Sequence, residues 1–325
     1  MNHPKVLSAV LILLLIGCNS PKKPVTTATS REEAGNQLKG SISISGAYAL
    51  YPLISALSER FMEVNPGVKI EVNRIGTGEG IADLLTGKCQ IAMISRPLTD
   101  EEISSGIWVV PVAKDGVAPI VNQKNPYLGK LLEQGISPDE FVKVFLSGNK
   151  VTWGQILGIP APETIDVYIR SDQSGAADIW SQFLYKEPED LKGSGVQGDN
   201  AMIESIRENP FSIGFCNFSY AFDAETGQRA KDIQIVPADL DFDNKIDKVE
   251  MPFANLEQAH RSLWLGFYPD QLCRELTLGC MGKPTDPVAI KFINFVLGEG
   301  QTMVKKTGFC PLNDVYIRYA KELLE

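Results

Sequence analysis

The chain has 325 residues, of which 44% are hydrophobic and 22% charged, and its formal net charge is −9 at pH 7. Its length is enough for two domains, and its apolar content is enough for a sizeable core. The acidic balance argues against nucleic acid as a partner, because nucleic-acid phosphates demand a basic surface. It leaves a small anion open, since a buried site depends on local donors rather than on net charge.

The N-terminal residues have the pattern of an export signal followed by a tether. Lys5 precedes an apolar run over 6–16, which is shorter than the roughly 20 residues that a membrane-spanning helix needs. The run ends at Gly17-Cys18, which resembles the lipobox of bacterial lipoproteins. We therefore predict a lipoprotein signal peptide over 1–18 with lipid attached to Cys18, and a flexible tether over 19–39.

Cysteines and histidines are too few to indicate a metal centre. Five cysteines remain after Cys18, so at least one thiol is free, and the spacing of the nearest pair, Cys273 and Cys280, leaves the disulfide pairing open. The two histidines are His3, inside the signal, and His260, which lies in a helical stretch. A zinc site would lack ligands. We predict no metal and no cofactor, and we interpret His260 as a partly buried structural residue.

Strands and helices alternate along the rest of the chain. The alternation and the turn residues predict strands over 41–45, 68–72, 90–95, 166–170 and 213–218, and a long crossing segment made of 109–112 and 117–121. They predict helices over 51–63, from the glycines of 76–80 through Leu85, over 137–146, from 171–175 onward, and over 199–207. This order is typical of α/β layers with largely parallel sheets.

Three of the strands run into helices through glycine-containing turns. The N-terminus of a helix leaves backbone N–H groups unpaired and carries about half a positive charge. Glycine lets a ligand approach that backbone closely, so such a turn can bind an anion. The turns therefore predict an anion site at the carboxyl ends of the strands.

Together these segments resemble the phosphate-binding proteins of bacterial phosphate-specific ABC importers, a branch of the type 2 periplasmic binding proteins. The similarity covers nearly all of the chain after the tether. The most specific motif is the last of the four that carry it: Gly46-Ala47-Tyr48-Ala49-Leu50-Tyr51-Pro52, Gly76-Thr77-Gly78-Glu79-Gly80-Ile81, Ile91-Ala92-Met93-Ile94-Ser95-Arg96-Pro97-Leu98, and Arg170-Ser171-Asp172-Gln173-Ser174-Gly175.

The resemblance implies an α/β fold like that of the type 2 periplasmic binding proteins. In this fold two α/β lobes, with mixed and mostly parallel sheets, are joined by two crossover segments. Lobe one would comprise residues 40–115 plus 255–325, and lobe two would comprise residues 116–254. The anion would be clamped between the two lobes.

The resemblance also implies which residues bind the anion. From lobe two, Arg170 would supply positive charge and Asp172 would orient Arg170. The other contacts would come from hydroxyls, side-chain charge and backbone amides at Ser174, Gly175 and Ala176 in lobe two, and at Ala47, Tyr48, Thr77, Ser95 and Arg96 in lobe one.

Several positions depart from the family pattern. Ala47, Tyr48 and Ala176 stand where the family carries hydroxyls, and three lost hydrogen bonds to an anion could cost about 5 kcal/mol, or about a thousandfold in affinity. Arg96 stands where many members carry an aspartate, whose carboxylate accepts a hydrogen bond from a ligand that still carries a proton, and Glu79 is a candidate replacement. The sequence therefore leaves the identity and affinity of the anion open.

The function that the resemblance implies is binding rather than catalysis. We expect an exported, lipid-anchored monomer that captures a tetrahedral oxyanion, inorganic phosphate first, and delivers it to an ABC permease in the membrane. Alternatives are sulfate, molybdate, tungstate or a phosphorylated small molecule as ligand, and a sensing or adhering surface lipoprotein. A secreted phosphatase would need a nucleophile and a metal or general base.

Overall fold

The computed structural model of the protein describes residues 38–248, 250 and 253–324. The predicted signal peptide at 1–18, with Cys18, and all but the last two residues of the predicted tether at 19–39 lie outside the described residues. Leu38, inside the predicted tether, is half-buried and packs against the core, so the folded chain begins before Gly40. Within the described residues, no helix combines the length and apolar character needed to span a membrane.

Nine strands and thirteen α-helices alternate along the described residues. The strands are β1 Gly40–Gly46, β2 Val68–Arg74, β3 Ile91–Ile94, β4 Ile107–Asn122, β5 Asp166–Arg170, β6 Ser194–Val196, β7 Ser212–Asn217, β8 Ile233–Ile235 and β9 Cys273–Met281. The helices are α1 Tyr51–Val64, α2 Thr77–Leu85, α3 Asp100–Ser104, α4 Leu128–Gln134, α5 Pro138–Leu146, α6 Trp153–Leu157, α7 Gly175–Phe183, α8 Gly198–Glu208, α9 Phe218–Ala221, α10 Leu256–Leu265, α11 Pro287–Val296, α12 Gln301–Lys306 and α13 Asp314–Leu324.

The predicted elements up to β7 are confirmed to within about two residues, with one change. The predicted crossing segment is a single strand, β4, rather than two separate pieces. After β7, the one element with a counterpart among the predictions is α10, which is the helical stretch around His260.

Helix α1 illustrates why the spacing of apolar residues was sufficient to predict a helix. Leu53, Leu57 and Phe61 recur at a spacing of four residues and are buried, and each such side chain contributes roughly 1.5–3 kcal/mol by leaving water. Val64, predicted on the same stripe, is 50% exposed at the end of the helix. The N–H of Asn65 closes the last turn on the Phe61 and Met62 carbonyls.

The strands form one mixed sheet in the order β2-β1-β3-β9-β4-β7-β5-β6, with β8 paired to β4. Strand β1 is parallel to β2 and β3, and β5 is parallel to β6 and β7. In the middle, β9 is antiparallel to β3 and β4, and β4 is antiparallel to β7 and β8. The carboxyl ends of β1, β2 and β5, which carry the glycine-containing turns, all lead directly into loops of the predicted site.

Strand β4 changes its partner partway along its length. From Ile107 to Gly116 it pairs with β9, and from Val117 to Val121 it pairs with β7. The predicted lobe boundary between residues 115 and 116 lies one residue before this change. We propose that the two lobes divide here.

Two clusters of buried apolar residues lie on the two sides of this point. One cluster draws its members from 42–113 and 276–320. A second, with members between 117 and 272, is built around Trp180, whose ring stacks on Phe215 at 5.4 Å and meets Phe141 edge-on at 5.1 Å. Aromatic pairs of this kind contribute about 0.5–1.5 kcal/mol beyond their burial.

All five cysteines after Cys18 are free thiols. Cys273 and Cys280 lie near opposite ends of the same strand, β9, which separates them by about 23 Å at roughly 3.3 Å per residue. A disulfide needs Cα atoms within about 7 Å, so a disulfide between Cys273 and Cys280 is excluded. Burial raises the pKa of Cys89 to about 11 and that of Cys310 to about 12, so these thiols are unreactive.

His260 is a core residue of α10, which confirms its interpretation as structural. Its ring is 8% exposed, and Nε2 donates a hydrogen bond to the Gly308 carbonyl at 3.1 Å. Burial lowers the pKa of His260 to about 4, because the charged form loses its hydration.

We predict that His260 makes the protein less stable in acid. Its folded-state pKa of about 4 lies below the ordinary 6.5, so its contribution is complete above pH 6.5 and is lost as the pH falls toward 4. The full loss is roughly 3 kcal/mol in the free energy of unfolding. Urea unfolding of the wild type and of His260→Gln, which keeps an N–H donor, at pH 7 and pH 4.5 measures it. The wild type should lose more stability than the variant, and equal losses would contradict the assignment.

Candidate functional site

A cleft of about 490 Å³ lies where the ends of several strands meet the starts of two helices. On one side it is lined by Thr77 and Gly78 at the start of α2 and by Arg96 after β3. On the other side it is lined by residues 169–175, which comprise the end of β5 and the loop that follows it, and by Asp178 on α7. Six of the ten predicted ligand-binding residues line this cleft: Thr77, Arg96, Arg170, Asp172, Ser174 and Gly175.

The start of α2 is shaped by glycine. Gly76 has a φ of +106°, and a side chain there would meet Glu79 Oε2 at 2.7 Å and Gln173 Oε1 at 3.2 Å. Glycine therefore allows the loop before α7 to approach the loop before α2. The next residue, Thr77, is buried and faces Ser95, with their hydroxyl oxygens 3.2 Å apart.

Helix α7 begins at the opposite wall of the cleft. Ser174 is its N-cap, and its hydroxyl oxygen accepts hydrogen bonds from the N–H groups of Ala176 at 3.2 Å and Ala177 at 3.4 Å. The Ala176 amide, predicted to contact the anion, thus already has a partner within the helix. The Ser174 hydroxyl keeps its own proton free for donation, because it acts only as an acceptor in these bonds.

Gly175 brings the two walls into contact. A side chain at this position would lie 2.3 Å from Ser95 Oγ and 2.6 Å from Arg274 Nη1. Only a glycine lets the first turn of α7 reach both groups. Residues that are far apart in the sequence therefore converge on one point: Ser95, Gly175 and Arg274.

Arg170 is the centre of a buried ion-pair network. Its Nε and Nη2 bond to the two oxygens of Asp172 at 2.8 and 2.5 Å, and its Nη1 bonds to Asp199 at 2.8 Å. The side chain of Arg170 is 1% exposed. Although burial opposes the ionisation of Asp172, its hydrogen bonds to Arg170 lower its pKa below the ordinary value. Asp172 therefore orients Arg170, as the sequence predicts.

A second buried arginine, Arg274 on β9, was not predicted. Its Nη1 donates to the Ser95 carbonyl at 3.1 Å, its Nη2 donates to Asp115 at 3.3 Å and to the Asn217 side chain, and its Nε has no partner among the described residues. A signal existed in the sequence, since Arg274 alternates with Leu276 and Leu278 on the buried face of the strand.

Asn217 joins the two arginines into one network. Its backbone and side-chain N–H groups donate to Asp199 at 3.1 Å, while its side-chain oxygen accepts from Arg274. Burial raises the pKa of Asp115 to about 6, against the opposing effect of Arg274. Asp115 also carried a signal, as an acid within the long apolar stretch of β4.

Arg96 lies at the mouth of the cleft but is held by another residue. Its two terminal nitrogens each donate to an oxygen of Glu102 at 2.8 Å. The bidentate pair leaves Arg96 to contribute positive charge to the cleft, with only part of its donor capacity free.

Two cleft carboxylates, the half-buried Asp178 and the exposed Glu189, make no hydrogen bond or ion pair to any described side chain. Burial raises the pKa of Asp178 above its ordinary value, although Arg96 and Arg274 act in the opposite direction. Glu79, the predicted replacement acceptor, is exposed and does not line the cleft.

The first predicted loop does not reach this cleft. Ala47 is buried in the core, and its N–H donates to the Met93 carbonyl at 2.9 Å, so neither its side chain nor its amide lines the cleft. The ring of Tyr48 lies 5.6 Å from the guanidinium carbon of Arg74. The predicted roles of these two residues therefore lack structural support in this conformation.

The arrangement suits an anion. The hydroxyls of Thr77 and Ser174, the N-termini of α2 and α7 and the Arg170 guanidinium group line the cleft. Ser95 and Arg274 lie against Gly175 in the first turn of α7. Hydrogen bonds from such groups to a charged acceptor are about twice as strong as those between neutral groups.

Comparison with known proteins gives relatives of similar length. The chain is 24% identical over 322 residues to Protein SphX of Synechococcus elongatus, covering 95% of this chain and 86% of that protein. It is 28% identical over 220 residues to the phosphate-binding protein PstS of Bacillus subtilis, covering 67% of this chain and 70% of that protein.

Solved structures share the fold. A substrate-binding protein from Clostridium perfringens, solved with bound phosphate, superimposes with a TM-score of 0.66 at 24% identity, over 84% of this chain and 100% of that chain. The predicted α/β fold of the type 2 periplasmic binding proteins is thereby confirmed. The family model described as the PBP superfamily domain matches residues 31–299. Since this match spans most of the chain, the protein belongs to the PBP superfamily.

Proposed function

We propose that this protein captures inorganic phosphate in the cleft and delivers it to an ABC importer. The observation that carries the proposal is the convergence of Ser95, Gly175 and Arg274, because it places a hydroxyl, a helix N-terminus and a guanidinium group around one point. Relatives named as phosphate-binding proteins, and a structural neighbour with bound phosphate, support the same ligand.

The residues assigned to the ligand differ in part from those predicted. We assign direct donation to Thr77, Ser95, Ser174 and the Gly175 amide, and we add Arg274 to Arg170 as the source of positive charge. Asp172 holds Arg170, and Arg96 contributes charge at the mouth. Ala47, Tyr48 and Ala176 are retained only as residues that could donate backbone amides after a local rearrangement.

Asp178 is the residue that we assign to selectivity. A carboxylate can only accept a hydrogen bond, so it favours an anion that still carries a proton. Phosphate carries one near neutral pH, whereas sulfate does not. In many family members an aspartate at the position of Arg96 is the hydrogen-bond acceptor. In this protein we assign that role to Asp178 of α7, on the opposite wall of the cleft.

We further propose that the protein is exported as a monomer and anchored through lipid on Cys18. The apolar run before Cys18 and the polar stretch after it support this arrangement. A binding protein held near the membrane needs no enzymatic activity of its own. A phosphatase on this fold would need a general base, and His260 is buried away from the cleft against Gly308.

The proposal is tested by calorimetric titration of the full chain in detergent with phosphate, sulfate and molybdate, after dialysis to strip bound anion. Phosphate should bind with micromolar or tighter affinity, and sulfate should not compete. The absence of heat with phosphate, or equal binding of sulfate, would contradict the proposal.

Thr77→Val should weaken phosphate binding about 10- to 100-fold. The substitution preserves the shape of the side chain and removes one hydroxyl, and a hydrogen bond to a charged group contributes about 1.5–3 kcal/mol. The matched control is Thr86→Val at the other end of α2, where the exposed hydroxyl bonds only to carbonyls of the same helix. Titration of both variants measures the effect, and an unchanged Kd for Thr77→Val would remove Thr77 from the site.

Thr77 is a better probe than Arg170. Removing Arg170 would leave Asp172 and Asp199 without their buried partner, and breaking a buried pair costs about 3–5 kcal/mol. Loss of binding in such a variant would not be distinguishable from loss of fold.

Asp178→Asn should lower the preference for phosphate over sulfate by at least about tenfold. The amide can donate a hydrogen bond to a fully ionised anion, which the carboxylate cannot do. Competition titrations at neutral pH measure the ratio. The control is Glu79→Gln, which removes an exposed carboxylate beside the cleft and should leave the ratio unchanged. An equal change in both variants, or none in Asp178→Asn, would refute the assignment.

A further inference from the structure

The loop between β8 and α10 contains five acidic residues at regular positions. Asp239, Asp241 and Asp243 alternate along the chain, and Asp247 and Glu250 follow. Counted from Asp239, these residues occupy positions 1, 3, 5, 9 and 12. The same positions carry the ligands in the twelve-residue calcium loop of EF-hand proteins.

The first three carboxylates converge in space. One oxygen from each of Asp239, Asp241 and Asp243 lies within 4.8 Å of the other two. Glu250 extends back over the same loop, because its Oε1 accepts a hydrogen bond from the N–H of Leu240 at 2.6 Å. Carboxylates that share so small a space repel one another unless a cation lies among them.

Asp239 provides an independent indication of a ligand. Its side chain is 2% exposed, and its Oδ1 has no hydrogen-bond partner among the described residues. Only Oδ2 is satisfied, by the N–H of Asn244 at 3.1 Å. A buried carboxylate oxygen without a partner is strongly unfavourable, and a cation coordinated at the cluster would satisfy it.

The backbone of the loop has the turn that such a site requires. Asn244, at position 6, has a φ of +58°, where calcium loops carry glycine and where asparagine is the next most tolerant residue. Ile246, at position 8, packs towards Gly135, and its N–H bonds to the Glu133 carbonyl at 3.0 Å. The loop is thus fastened to the end of α4 through Ile246.

We propose that residues 239–250 bind a calcium ion. The side chains of Asp239, Asp241, Asp243 and Glu250 would be direct ligands, together with the carbonyl of Lys245, and Asp247 would act through water. Oxygen ligands alone select a hard cation, and the loop contains no histidine or cysteine for zinc. The site is separate from the anion cleft, none of whose lining residues lie in this loop.

Binding at this loop would stabilise the fold. The first residue of the loop is bonded to the segment that follows α4, since the N–H of Asp239 donates to the Ile136 carbonyl at 3.1 Å. A calcium ion would offset most of the excess of five acidic over two basic side chains within 239–250. Ions that bind only the folded state raise the ratio of folded to unfolded protein, and at ten times Kd this ratio increases about tenfold.

The test uses the full chain in detergent and in phosphate-free buffer, stripped with a chelator and titrated with Ca²⁺ alone. We expect calorimetric binding with a Kd no weaker than about 10⁻³ M and a melting temperature that rises by a few degrees. Mg²⁺ at the same concentration should have a much smaller effect. Absence of binding, or equal stabilisation by Mg²⁺, would overturn the proposal.

Two variants locate the ion. Asp239→Asn removes the buried ligand charge, and the double variant Asp241→Asn/Asp243→Asn removes two exposed ones, so folding is preserved in at least the second. In both variants the Kd for Ca²⁺ should rise at least tenfold, while the Kd for phosphate should be unchanged. Glu225→Gln, an exposed acid outside the loop, is the control and should bind Ca²⁺ as the wild type does. Undiminished Ca²⁺ binding by the double variant would refute the site.

Discussion

The cleft depends on one buried chain of hydrogen bonds that runs from Arg170 to Asp115. Arg170 bonds to Asp199, Asn217 bonds to both Asp199 and Arg274, and Arg274 bonds to Asp115. These residues come from β5, α8, β7, β9 and β4. Each charge would be strongly destabilising if it were buried alone, and removing one partner of a buried pair costs about 3–5 kcal/mol. The network therefore holds the strand ends in the positions that form the site.

The same network determines what kind of anion the cleft suits. The two buried arginines face three acids, Asp115, Asp172 and Asp199, so the network itself has no excess of positive charge. Attraction for an anion then comes from hydroxyls, helix N-termini and the guanidinium donors that remain free. With Asp178 on the wall as well, an anion that brings its own proton is favoured over one that does not.

Asp115 also connects the site to the architecture of the sheet. It lies on β4 beside Gly116, the last residue that pairs with β9, and its Oδ1 accepts a hydrogen bond from the Gly116 N–H at 2.9 Å. Under the proposed two-lobe division, the chain would pass between the lobes at this residue. Asp115 and Arg274 would both belong to lobe one, whereas Asn217 would belong to lobe two. Any movement between the lobes would then act directly on the Arg274–Asn217 hydrogen bond, which links strand geometry to the state of the cleft.

Local chemistry was readable along the chain, because caps, glycine turns and apolar stripes act over a few residues. The N-cap at Ser174, the turn at Gly76 and the apolar stripe of α1 are of this kind. The spacing of acidic residues from Asp239 onward was also present in the sequence, but asparagine instead of glycine at position 6 obscured it. What only the folded chain decided was which of these features meet. Arg274 and Ser95 are 179 positions apart, and Asp239 became informative only through its burial. Contacts of such separation follow from strand order and packing, which no local pattern encodes.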